Sequence, residues 1–235
     1  MTKLRDKAIF LFDRSQTLFK EQAWEAALQM LDALLAIAPT FDAAHLMRAR
    51  CHVHLNAFMP ARDAFAQTLR LNPKNYSAWL EAGHLCRQMG ELQQALMSYQ
   101  HATQVAPQRF EAWLGRARVL AQLGELQLAD QAYAQAQQAA KSLASDVRYQ
   151  IHQLMGRYWL ELGQSQRALH CVAQALAVPE INEDAKAVAY MDGAMALLRM
   201  GHREKAYEWL TRASGASDED VLSRLANLSY RHNLW

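Results

Sequence analysis

The chain has 235 residues, 51% of them hydrophobic and 20% charged, a composition that excludes disorder and allows one large or two small domains with a substantial core. A formal net charge of +2 excludes a strong bulk attraction to nucleic acid, so any basic surface must be local. The three cysteines, Cys51, Cys86 and Cys171, are odd in number, far apart and without a Cys-x-x-Cys pair. That supports neither a disulfide framework nor a zinc ribbon, and a reducing, cytoplasmic compartment is the simpler expectation.

Only nine Gly and five Pro punctuate a chain rich in Ala, Leu and Gln, which favours helix over sheet. The opening "MTKLRDKAIFLFDRSQ" has a four-residue apolar run before Asp13, too short for a signal peptide core or a membrane span. From there the chain repeats itself. The first unit, residues 8–41, carries Ser15, Ala27 and Leu31 and closes on Pro39. The second, 42–75, carries Ala49, Ala61 and Phe65 and closes on Pro73; its Pro60 falls in the first turn of a helix, where proline is tolerated. The third, 76–109, carries Trp79, Gly83, Gly90, Ala95, Tyr99, Ala102 and Pro107. The fourth, 110–148, has Trp113, Ala117, Gly124, Ala129, Tyr133 and Ala136, followed by about five extra residues near "QQAAKSLASDVRYQ". Those extra residues read most simply as a longer second helix or loop. The fifth, 149–186, has Gly156, Gly163, Ala168, Val172 and Pro179 and a junction, "VPEINEDAKAV", four residues over length. The sixth, 187–218, has Ala194, Gly201, Ala206 and Leu210.

Three columns therefore run through the six units: Ser15, Ala49, Gly83, Ala117, Gly156, Ala194; then Ala27, Ala61, Ala95, Ala129, Ala168, Ala206; then Leu31, Phe65, Tyr99, Tyr133, Val172, Leu210. The steps are 34, 34, 34, 39 and 38 residues, a fixed-period signal that takes priority over any local motif. Within each unit apolar residues fall at helical spacing in two stretches of roughly fourteen residues. Glycine between them suits a helix C-cap, and proline after the second cannot continue it. Each unit is expected to be a helical hairpin, with the small columns marking close approach of the paired helices.

These residues resemble the tetratricopeptide repeat family, over roughly residues 8–235. Trp79, Gly83, Gly90, Ala95, Tyr99, Ala102 and Pro107 all fall on the family's signature positions, whereas the first two units have Leu11 and His45 where the tryptophan belongs. The resemblance implies an all-α fold, a right-handed α-solenoid superhelix of antiparallel helix pairs, as a single array over 1–235. The remaining 219–235 fits a partial unit or cap: a seventh first helix with Ala226 in the small column, Asn233 where glycine is usual, and Trp235 opening a missing second helix. Ending in mid-unit points to the repeat region of a longer bacterial protein, with Leu234 and Trp235 exposed and available for self-association.

Catalytic and metal motifs are lacking. Cys51, His52 and His54 cluster, but zinc needs four convergent ligands and no second segment supplies them. His45 and His152 occupy the tryptophan slot and are expected to pack between helices. No nucleophile elbow, phosphate-binding loop, dinucleotide fingerprint or His-Glu-x-x-His occurs. Neither a cofactor nor a metal is expected, and no enzymatic activity within these residues.

In the resembled family the first helix of each unit lines the concave surface. One position after the small column this implies a row of Gln16, Arg50, His84, Arg118, Arg157, Met195 and Asn227. Three before it runs a second row of Phe12, Leu46, Leu80, Leu114, Gln153 and Met191. Phe12, Leu46, Arg50, Leu80, His84, Leu114, Arg118 and Arg157 are the candidate groove residues, a basic rail beside an apolar one. They suit a peptide or protein segment with acidic and apolar side chains. The competing expectation is that Arg50, Arg118 and Arg157 pair internally with Glu81, Glu111 or Glu161. The family's two-carboxylate clamp for chaperone tails needs lysine, asparagine and arginine where this chain has Phe12, Gln16, Met47, Ser77 and Glu81, so that ligand is not expected. A nucleic-acid partner is not expected either, since no aromatic stacking row accompanies the arginines, nor is a membrane. The expected function is a protein–protein interaction scaffold. The alternative is the N-terminal repeat region of a larger enzyme of glycosyltransferase or sulfotransferase type, recruiting substrate protein or mediating oligomerisation.

Overall fold

The computed structural model describes residues 2–214 together with residues 219, 223, 226 and 227. The expected Asn233, Leu234 and Trp235 lie outside the described residues. Twelve α-helices fill the described chain, and no strand occurs there. They fall into two compact units, Met1–Pro107 and Gln108–Trp235. The first holds α1 (Thr2–Lys20), α2 (Trp24–Ile37), α3 (Asp42–His54), α4 (Phe58–Leu71), α5 (Tyr76–Gln88) and α6 (Leu92–Val105). The second holds α7 (Phe110–Gln122), α8 (Leu126–Ala139), α9 (Ser145–Glu161), α10 (Ser165–Leu176), α11 (Glu183–Arg199) and α12 (Arg203–Ala213). Odd-numbered helices pack most extensively on the even-numbered helix that follows, forming six hairpins.

The hairpin turns are chemically simple. After α5 the Glu91 N–H reaches back to Cys86 O at 2.8 Å, with Gly90 at φ 79°, the backbone signature of a helix closed by a left-handed residue. In the first two hairpins that residue is Gln22 (φ 60°) and Asn56 (φ 55°), conformations that a Cβ makes costly. Side-chain caps open two first helices: Asn75 Oδ1 accepts from Ala78 N–H at 3.0 Å, and Asn182 Oδ1 from Ala185 N–H at 2.7 Å.

Close packing explains the small columns. Ala27, Ala61, Ala95, Ala129, Ala168 and Ala206 are all fully buried at 0% exposure. A Cβ added at Gly83 would lie 2.7 Å from Tyr99 Cε1, so the third column packs directly on the first. The tryptophan slot has a polar duty as well. Trp79 Nε1 donates to Pro73 O at 2.8 Å, and His45 Nε2 lies 2.9 Å from Pro39 O in the equivalent place. Histidine thus satisfies the same carbonyl.

The extra residues lie elsewhere than expected. Helix α8 has 14 residues, no more than α6, whereas α9 and α11 have 17 against the 13 of α3, α5 and α7. The added length is mostly one turn on the following first helix. Directly after that turn the Tyr149 hydroxyl donates to Ala185 O at 2.6 Å, tying the start of α9 to the added turn of α11. Tyr149, Val172, Ala175, Val178 and Ala189 close a small apolar cluster there.

Candidate protein-binding face

The candidate residues are spaced three and four apart along the first helices, which places them on one face of each. In the first unit Phe12, Leu46 and Leu80 are half-buried, and the Phe12 ring meets Phe41 at 4.9 Å. Arg50 is held from the next hairpin by Glu81: Nε donates to both carboxylate oxygens at 3.1 and 2.9 Å, and Nη2 to Oε1 at 2.5 Å. That bonding raises the Arg50 guanidinium pKa above its ordinary value, against the opposing effect of burial. His84 is exposed and tilts over Tyr99 at 5.5 Å between centroids. A cleft of about 350 Å³ lies along this face, with Phe19, Val53 and Leu85 as its apolar lining beside Arg50, Glu81 and His84.

In the second unit Leu114 is buried, at 7% exposure. Arg157 Nε donates to Asp192 Oδ2 at 2.9 Å, again on the next hairpin. The partner is thus Asp192, where Glu161 was the sequence-level expectation. Arg118 differs from both. Its guanidinium lies 5.2 Å from the Tyr158 ring centroid, while the Tyr158 hydroxyl donates to the Arg118 carbonyl at 2.7 Å. Arg118 Nε is buried without a hydrogen-bond acceptor, and the residue forms no ion pair among the described residues.

A register rule accounts for these differences. Glu81 and Asp192 both stand two positions before the small column of the unit that follows their arginine. The same position opposite Arg118 is Leu154, which is 47% exposed. The Arg50–Glu81 pair is the one the competing expectation named, whereas Asp192 was missed from sequence, although the same offset between consecutive units was available to find it.

The histidines and cysteines are structural in their contacts. His54 stacks on Trp24 at 4.1 Å with planes 3° apart. His152 Nδ1 lies 2.6 Å from the Tyr133 hydroxyl, and burial pushes the ring pKa down to about 4. Cys51, Cys86 and Cys171 are free and buried, and burial pushes the Cys51 thiol up to about 11 and that of Cys171 to about 12. Among the described residues no three His, Cys, Asp or Glu side chains converge as metal ligands, and no helix is long and apolar enough to cross a membrane.

Six antiparallel hairpins in one register define the class first: an all-α solenoid of paired helices. The chain belongs to the tetratricopeptide repeat family, whose profiles match residues 18–82 and 80–144. Solved structures agree on the fold. PilW, described as a widely conserved type IV pilus biogenesis factor, superposes with a TM-score of 0.68 at 17% identity, covering 93% of this chain and 98% of its own. PilF of Pseudomonas aeruginosa gives 0.65 at 13% identity, covering 96% and 99%. A tetratricopeptide repeat protein of Parabacteroides merdae gives 0.53 at 16% identity, covering 96% and 99%. No curated protein matches the sequence. Family membership supports a protein–protein interaction scaffold as the general role.

Proposed function

We propose that the first helices hold a segment of a partner protein that carries acidic and apolar side chains, with Arg118 as the charged anchor. The observation that carries this reading is the unequal state of the basic row. Arg50 and Arg157 are neutralised by Glu81 and Asp192, whereas Arg118 has no acid opposite it and an exposed Leu154 in the acid's place. A carboxylate meeting Arg118 gains a charge-assisted bond without displacing an internal partner. Displacing Glu81 from Arg50 would strand a partly buried acid. Within the second unit the paired Arg157 orients the segment more than it attracts it; within the first unit Phe12, Leu46 and Leu80 offer apolar contact beside the polar His84 and the paired Arg50. Leu114, buried as it is, supports Arg118 from within.

Peptide segments selected from a displayed library on the wild-type chain test this directly. Binders should be enriched in an acid flanked by apolar residues, and should weaken as salt shortens the screening length to about 8 Å or below. Arg118→Glu should remove most of that binding while helicity and melting stay unchanged, and a lysine in place of the peptide's acid should recover it. Binders that hold equally well to Arg118→Glu would place the site on some other surface.

A further inference from the structure

The irregular junction between α8 and α9 builds a second feature, separate from the first-helix row. A cleft of about 310 Å³ opens where the end of α8, the loop after it, the start of α9 and the end of α10 meet. Lys141 and Arg148 line it beside Gln137, His152 and Gln174, and its wall contains no carboxylate. Lys141 belongs to the loop and Arg148 to the added turn of α9. The regular hairpins have no such turn, so this grouping exists only because the fourth repeat interval is longer.

Neither of the two cations is neutralised by an acid of the described residues. Arg148 donates through Nη2 to Ser145 Oγ at 3.0 Å, but its Nε is buried with no acceptor. On the neighbouring helix, by contrast, Arg167 is held by Asp130 at 3.0 Å. A guanidinium N–H sealed from water without an acceptor is unfavourable, and native structures rarely leave one so. Gln137 Nε2 is already engaged with Gln174 Oε1 at 2.6 Å and His152 Nδ1 at 3.3 Å, so the two cations and the Gln174 amide N–H groups are what the opening offers an anion as charge and donors. The His152 ring sits in the same field: burial lowers its pKa first, a hydrogen bond to Gln174 opposes that, and the nearby Arg148 charge lowers it further.

We propose that this cleft binds a single oxyanion, a carboxylate or phosphoryl group presented by a partner protein, through Arg148 and Lys141. That the anion arrives on a protein rests on the scaffold reading; the cleft's affinity for the ion does not. The site stands apart from Arg118, so its loss leaves the first-helix face intact.

Nuclear magnetic resonance of the whole chain, titrated separately with inorganic phosphate and with acetate, tests it. The Arg148 Nε–H signal and the His152 ring signals should move saturably with at least one of the two ions. Phosphate the tighter by about tenfold or more identifies a phosphoryl source, and comparable binding identifies a carboxylate. Lys141→Gln, a change in an exposed loop residue, should weaken binding by roughly tenfold without altering the melt, and Arg148→Gln should abolish it. Arg118→Glu should leave the ion titration unchanged, which separates this site from the first-helix reading. Shifts that never saturate, or that survive both cleft substitutions, overturn the proposal.

Discussion

Two glycines of the same column make different demands on their surroundings. At Gly83 an added Cβ meets Tyr99 ring carbons at 2.7 and 2.8 Å, whereas at Gly156 the nearest neighbour is Cys171 Cβ at 3.4 Å. Gly83→Ala should therefore overpack the crossing and cost about 1–3 kcal/mol. Gly156→Ala should be close to neutral, because the gain in helix propensity of roughly 0.5–1 kcal/mol offsets a mild contact. Urea midpoints of the two variants decide it, and equal losses would mean the column is not a shared contact line. His152 gives a second residue-scale prediction. Its folded pKa of about 4 lies below the ordinary 6.5 because the buried ring favours the neutral form. The unfolded chain then binds the proton more readily between these values, so the contribution is present above pH 6.5 and lost as pH falls towards 4. It amounts to at most about 3 kcal/mol. His152→Gln, which keeps an acceptor for Tyr133, should show a flatter stability profile from pH 7 to 4 in chemical denaturation. A parallel profile would assign the pH dependence to other groups.

Turns and helix ends set the behaviour of each hairpin. Four of the six use glycine in the left-handed conformation, at φ between 72° and 82°, and two use Gln22 and Asn56. Gln22→Gly should raise the denaturation midpoint by about 0.5–1 kcal/mol, since relief of the Cβ clash outweighs the entropy glycine loses on folding. A lower midpoint would mean that the Gln22 side chain contributes more than its backbone strain costs. The hairpin period, the small columns and the closing prolines were all legible in the sequence, because each answers a steric demand that recurs at the same place. The destination of the extra residues was not legible. The segment is equally compatible with a longer loop, and contacts such as the bond from Tyr149 to Ala185, 36 residues away, which tie the start of α9 to α11, are visible in the tertiary structure and not in the sequence.

Across the whole molecule, stability should be distributed by neighbourhood. Within each of the two compact units a hairpin packs mainly on itself and on the hairpins next to it, the condition under which an array behaves as nearly one-dimensional. Hydrogen exchange on Gly83→Ala should accordingly show lost protection in α5 and α6 while α11 and α12 keep theirs. Uniform loss along the chain would show a single cooperative unit. The candidate face divides the same way between what was legible and what was not. Sequence by itself determined the helical hairpins, their register, and which residues share a first-helix face, since periodicity and side-chain volume act over one or two turns. Tertiary structure decided between the free and the paired arginine rows, giving Arg50 to Glu81 and Arg157 to Asp192, and it alone decided that Leu114 is buried and that Lys141 and Arg148 meet at one cleft. Those outcomes depend on which side chains of neighbouring hairpins come within about 3 Å of one another, the range at which charge-assisted bonds form. A single helix's periodicity carries no information about that distance.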